Sequence, residues 1–164
     1  MDRSFITRNN ASRERLQTLV NSLSDRDLDL VIHGEWTVLA ALAHLAFSDR
    51  QIQGWLEEWE RQGIRESAAL REWDQAAQVR LQGQNDVMTP RWLEADSHSI
   101  KQEVIAAATS LDAKLESLSP ELTEVILATS LFGRRRPWVL DRSIHRHEHL
   151  AEIERALGAT TELP

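Results

Sequence analysis

A long stripe of apolar side chains at helical spacing limits what this chain can fold into more than any other feature of its sequence. The stripe consists of Val38, Leu42, Leu45, Ile52, Leu56 and Trp59. At roughly 100° per residue these side chains share one face of a helix. Thr37 precedes them and is a favourable N-cap residue. The sequence therefore predicts a long amphipathic helix that begins after Thr37 and must bury one face against other helices.

Helical periodicity extends over most of the chain, which has only four prolines and six glycines. The spacing predicts further helices over residues 11–23, 68–81, 97–118 and 139–157, with Gly158 as the stop of the last one. Residues 25–34 are expected to form a loop or short turn, and residues 121–131 a short helix or an irregular segment. Residues 83–86 and 89–90 are expected to break the helical pattern, and residues 159–164 to form a loose tail. We therefore predict an all-α fold, a four-helix bundle that forms one domain over residues 1–164.

Charge and composition exclude several classes of function. The formal net charge of −7 argues against a surface that follows phosphates, so nucleic acid is not an expected partner. The chain has no cysteine, so any metal must be held by histidine, aspartate or glutamate. Its start lacks the apolar segment of a secretory signal, and no stretch approaches the roughly eighteen apolar residues of a membrane span. We expect a soluble cytoplasmic protein with no membrane partner.

Three of the six histidines are candidate metal ligands. His145 and His149 are one helical turn apart, so their imidazoles project from the same face, whereas His147 points to the opposite, exposed side. His44 lies at the edge of the apolar stripe on another helix. Two imidazoles on one helix and one on a facing helix make a three-histidine site with a coordination position left open for water or substrate. The alternative is that all three are polar residues at the rim of the bundle.

Other polar residues have weaker signals. His33 and His98 lie near predicted helix ends or loops and are expected at the surface. Glu152 is three residues beyond His149 and is either a partner that orients this imidazole or a surface charge. The arginines at 134–136 form either a solvated basic turn or an anion clamp for a carboxylate-bearing substrate or thiol. Most of the six tryptophans are expected to fill the core, with a minority lining a pocket near the metal.

Two segments of the sequence resemble the DinB/YfiT-like metalloenzyme superfamily. The first, Gly34-Glu35-Trp36-Thr37-Val38 followed by Leu42-Ala43-His44-Leu45, is similar to a W-[ST]-V segment that leads into an [AG]-H-[LI] histidine. The second, His145-x-x-x-His149-x-x-Glu152-Ile153, is similar to the HxxxHxxQI pattern of the last helix, with Glu152 in place of the usual glutamine.

The resemblance implies a bundle of up-down-down-up character with a divalent metal, such as zinc, nickel or iron, held by His44, His145 and His149. It also implies a homodimer. The implied activity is that of a metal-dependent S-transferase or detoxification enzyme, acting on a small-molecule substrate with a low-molecular-weight thiol such as bacillithiol or mycothiol. Related mycothiol-dependent maleylpyruvate isomerases carry glutamate where this chain has His145, which places it nearer the three-histidine branch. The competing hypothesis is a non-catalytic metal-binding or scaffold protein whose histidines hold a structural metal or none.

Overall fold

The computed structural model describes residues 3–133 and 137–161, and it confirms the predicted all-α class. Eight α-helices lie in these ranges: α1 (Phe5–Ser22), α2 (Asp25–Leu28), α3 (Val38–Gln62), α4 (Ser67–Arg80), α5 (Gln84–Leu93), α6 (Ser97–Ser117), α7 (Pro120–Leu127) and α8 (Ser143–Thr161). Two short antiparallel strands, β1 (Val31–His33) and β2 (Trp36–Thr37), form a hairpin directly before α3. A 3-10 turn covers Leu131–Gly133.

The four longest helices enclose the core. Helix α3 packs against α6 and α8, and α1 packs against the same two helices. Leu42 and Leu45 of α3 are completely buried between these helices. Burial of one such leucine side chain contributes about 1.5–3 kcal/mol. Within the described residues, no helix is both long and apolar enough to cross a bilayer.

The start of α3 confirms the prediction from Thr37. The Thr37 hydroxyl accepts a hydrogen bond from the Ala40 amide at 3.2 Å, as an N-cap side chain does. The Val38 amide donates to the Leu30 carbonyl at 2.9 Å, which ties the helix to the segment leading into the hairpin. Helix α3 ends at Gly63, whose φ of 65° lies in the left-handed region that glycine adopts without strain. His44 is therefore placed two turns into a helix with defined ends.

The predicted break around residues 83–90 was largely wrong. The interruption is confined to the turn before Gly83, whose φ is 69°, and residues 84–93 form helix α5. Pro90 lies inside this helix, although proline cannot donate the hydrogen bond to the carbonyl four residues earlier. Both Pro90 and Asp86 are exposed, so water can bind the carbonyl that loses its donor. Residues 25–34, expected as a loop or turn, contain α2 and β1, and residues 120–127 form helix α7.

Both predicted ends of the last helix were wrong. Helix α8 begins at Ser143 because a side chain from α1 caps it: Asn9 Oδ1 accepts from the amides of Arg142 at 2.8 Å and Ser143 at 3.1 Å. The amide group of Asn9 also donates to the Leu140 carbonyl at 2.7 Å. Gly158 keeps a right-handed backbone, so it does not stop the helix, which continues to Thr161 and includes residues predicted as a loose tail. Helix α1 likewise begins at residue 5, earlier than predicted.

Candidate metal centre

Helices α3 and α8 bring the three predicted ligands together. Nε2 of His44 lies 3.1 Å from Nε2 of His145, and one ring nitrogen from each of His44, His145 and His149 lies within 4.8 Å of the others. Nitrogen ligands at about 2.0–2.1 Å from a tetrahedral zinc are about 3.3 Å apart. The three side chains therefore need to approach one another by at most about 1.5 Å to hold a divalent metal.

Burial keeps two of these imidazoles neutral. His44 is only 8% exposed, and its burial, together with the nearby His149 and Arg142, lowers its pKa to about 4. Burial also lowers the pKa of His149, against the opposing effect of Glu152. A metal binds the neutral imidazole, so protons compete weakly for these nitrogens near pH 7.

The second ring nitrogen of His149 has the partner expected of a metal ligand. Its Nδ1 lies 2.9 Å from Oε2 of Glu152, so a neutral His149 carries its hydrogen on Nδ1 and donates it to this carboxylate. Such a contact fixes the tautomer and ring orientation and raises the basicity of the other nitrogen. Nε2 of His149 is thereby left with a free lone pair. Glu152 is thus a partner of the imidazole, the first of the two alternatives left open by the sequence.

The second ring nitrogen of His145 meets a cation instead. Nη2 of Arg142 lies 2.8 Å from its Nδ1, and because a guanidinium only donates, this nitrogen accepts. A neutral His145 then carries its hydrogen on Nε2 and donates it to Nε2 of His44. The hydrogen of His44 is consequently on Nδ1, which is buried and has no hydrogen-bond partner among the described residues. His149 therefore offers a free Nε2 lone pair, whereas the Nε2 lone pair of His44 becomes available only when His145 loses its Nε2 hydrogen.

Aromatic side chains cover the histidines. The Trp36 ring lies nearly parallel to that of His149, with centroids 6.2 Å apart, and contacts His44 edge-on at 5.2 Å. His33 of β1 stacks on Trp36 at 5.4 Å, and Trp92 of α5 contacts His44 edge-on at 4.9 Å. The prediction that a minority of tryptophans line a pocket near the site is confirmed for Trp138, which borders a cavity beside His44 and His145, and not for this pair. The rings of Trp36 and Trp92 cover one side of the three-histidine cluster.

The remaining candidates lie elsewhere. His33, His98 and His147 are exposed, as predicted. Trp55 and Trp59 are buried in the core, as expected of most tryptophans. The arginines at 134–136 lie outside the described residues, so their interpretation as a clamp or a solvated turn stays a prediction.

The sequence analysis missed a buried ion-pair network behind His145. Asp49 of α3 accepts from Nε of Arg142 at 3.0 Å and from Nη2 of Arg146 at 2.9 Å. Arg146 also donates to Asp112 of α6 at 2.9 Å. All four side chains are almost completely buried, and the partly exposed Arg13 of α1 also donates to Asp112 at 3.1 Å. The network holds the guanidinium of Arg142 against His145.

The sequence contains a signal for this network. Asp49 interrupts the apolar face of α3 between Leu45 and Ile52, and a charged side chain at such a position is buried only when it is paired. Arg142 and Arg146 are four residues apart and share the helix face of the histidines. Basic residues on the buried side of one helix and an acid on the buried side of another indicate an ion pair between the two helices.

A cavity of about 190 Å³ opens beside the metal centre and is bordered by His44 and His145. Its other walls include Phe47, Ser48, Gln51, Gln84, Asn85 and Trp138. The hydroxyl of Ser48 accepts from Nη2 of Arg142 at 2.9 Å, which connects the cavity wall to the ion-pair network. Four larger grooves, of about 350, 370, 560 and 600 Å³, are more open and contact none of the three clustered histidines. Among these cavities, the smallest one is bordered by two of the three candidate ligands.

Known proteins give no assignment for this chain. No protein-family model, no curated protein and no solved structure matches it. The geometry of the three histidines and the cavity beside them is therefore the basis for a functional proposal.

Proposed function

We propose that this protein is a divalent-metal-dependent enzyme whose ligands are His44, His145 and His149, with zinc, nickel or iron as the metal. The observation that carries the proposal is the convergence of three imidazoles, without a carboxylate among them, two of which line a cavity. Neutral ligands leave the full charge of a divalent ion uncompensated, which favours an anionic co-ligand. When bound, such a metal supplies a Lewis acid that lowers the pKa of an incoming thiol.

Residues around the three histidines orient a ligand and limit the access of water. Glu152 orients His149, and Trp36 and Trp92 cover one side of the histidines. We infer S-transfer from a low-molecular-weight thiol such as bacillithiol or mycothiol to a small electrophile, as the resemblance to DinB/YfiT-like enzymes implies. The up-down-down-up bundle, the homodimer and the cytoplasmic location belong to the same proposal.

Metal content tests the ligand assignment. Protein stripped with a chelator and reloaded with zinc or nickel is expected to bind one ion per chain by elemental analysis. The triple variant His44→Ala, His145→Ala, His149→Ala is expected to lose that ion. The double variant His98→Ala, His147→Ala removes only exposed imidazoles and is the matched control. Full metal content in the triple variant would refute the site.

One observation favours the alternative of a non-catalytic metal-binding or scaffold protein. Because Arg142 places the hydrogen of His145 on Nε2, the metal-free site is closed by a His145–His44 hydrogen bond. Turnover separates the two proposals. An enzyme, once loaded with metal, should accelerate the loss of a thiol to an alkylating agent such as monochlorobimane beyond the rate seen with stripped protein. A protein that binds one ion but gives equal rates has the scaffold role.

A further inference from the structure

We propose that the cavity beside the metal centre binds a small uncharged ligand through an amide group. This inference rests on the proposed function in one respect, the assignment of the cavity to the substrate. Its own support is the arrangement of Gln51, Gln84 and the residues around them, which take no part in holding the metal.

A hydrogen bond between two glutamines sets up the recognition pattern. Nε2 of Gln51 in α3 donates to Oε1 of Gln84 in α5 at 2.9 Å. In the described part of the chain, no other protein hydrogen bond engages Oε1 of Gln51 or Nε2 of Gln84. The pair therefore presents one acceptor and one donor on neighbouring groups. An amide offers the complementary pair, an N–H for Gln51 and a C=O for Gln84.

The charge of the cavity favours a neutral ligand. Among the described residues that line it, the only formally charged side chain is Glu148. The guanidinium of Arg142 reaches the wall through Ser48, but the carboxylate of Asp49 balances it. In the metal-free protein, a carboxylate or phosphate would therefore meet no unpaired cation among the described residues of the wall and would be repelled by Glu148. Phe47, Trp138 and Ile144 supply apolar walls for the carbon atoms of the ligand.

The size of the cavity limits the ligand further. Drug-sized ligands occupy pockets of roughly 300–1,000 Å³. A volume of about 190 Å³ is smaller and equals the space of roughly six water molecules. The cavity thus accommodates an amide group and a short linker that ends at His44 and His145. The expected ligand is a compact amide-bearing molecule or the amide-bearing end of a longer one.

Nuclear magnetic resonance of the metal-free protein tests the amide site without any metal. N-methylacetamide is titrated while the backbone amides of Ser48 and Asn85 and the side-chain amides of Gln51 and Gln84 are followed. We expect saturable shifts at these positions, and acetate is expected to cause none. In the double variant Gln51→Leu, Gln84→Leu, the shifts of the two backbone amides should report an affinity for N-methylacetamide that is about tenfold weaker, because two hydrogen bonds are lost. Gln102→Leu, on α6, which contributes no residue to the cavity, is the control.

The outcomes decide the inference separately from the proposed function. Equal shifts with acetate, or equal affinity in the double variant that still folds, would overturn the amide site.

A second arm measures binding of N-acetylcysteamine and 1-propanethiol to cobalt-loaded protein by charge-transfer absorption. We expect the preference for N-acetylcysteamine to fall about tenfold in the double variant, and the comparison of the same two thiols cancels their different acidity. Absence of absorption with both thiols, together with a positive amide titration, would refute the thiol chemistry and leave the amide site standing.

Discussion

His145 and His149 occupy equivalent positions one turn apart, yet opposite charges meet their second nitrogens. Glu152 accepts from His149, whereas Arg142 donates to His145. The sequence predicts which imidazoles converge, because spacing alone places them on one helix face. It does not predict the tautomers, because these depend on whether a side chain three residues away turns toward the ring or toward solvent. As a result, His149 presents an Nε2 lone pair to a metal, whereas His145 must first lose its Nε2 hydrogen.

The carboxylate of Glu152 should therefore determine metal affinity. Glu152→Leu removes the acceptor of the His149 Nδ1 hydrogen and is expected to weaken zinc binding about 10–100-fold. Glu152→Gln keeps an acceptor oxygen and should weaken it much less. Competition with a chromophoric chelator measures both affinities. Glu154→Leu, at an exposed residue that pairs with Arg15 and contacts none of the three clustered histidines, is the control. If Glu152→Leu binds zinc as tightly as the wild-type protein, the orienting role is refuted.

The two helices that carry the ligands begin for different reasons. Helix α3 begins where its own sequence directs it, because the Thr37 hydroxyl caps the helix that follows. Helix α8 begins where another helix directs it, because Asn9 of α1 caps it from more than a hundred residues away. The first start could be predicted from the sequence. The second could not, because no local residue pattern records the position of Asn9.

Removal of the Thr37 cap at the start of α3 should lower the stability of the protein. Thr37→Ala leaves the Ala40 amide without its acceptor and is expected to lower the free energy of unfolding by about 1 kcal/mol. Urea denaturation monitored by circular dichroism measures the change. Thr109→Ala is the matched control, because that exposed hydroxyl bonds back to the Ile105 carbonyl within α6. An equal loss in the two variants would mean that the cap contributes nothing.

Across the whole molecule, buried charges connect helices that the apolar pattern only brings near one another. Asp49, Asp112 and Arg146 come from α3, α6 and α8, and their pairings span 34 and 97 positions of the chain. Apolar periodicity predicted these helices and their buried faces. It could not specify this mutual arrangement, because many rotations about the helix axes bury a similar apolar area. Only some of those arrangements satisfy each buried charge, and the same contacts place Arg142 beside His145.

Removal of one buried cation should consequently cost far more than removal of a surface one. Arg146→Met leaves the buried carboxylate of Asp112 with only the partly exposed Arg13 as its cation, and we expect a loss of about 3–5 kcal/mol in the free energy of unfolding. The double variant Arg146→Met, Asp112→Leu restores the balance of buried charge, because Asp49 keeps Arg142, so it should be more stable than Arg146→Met alone. Arg15→Met breaks an exposed pair and should cost less than about 1 kcal/mol. Urea denaturation of all three variants decides the matter: if Arg146→Met is no worse than Arg15→Met, the network does not hold the helices together.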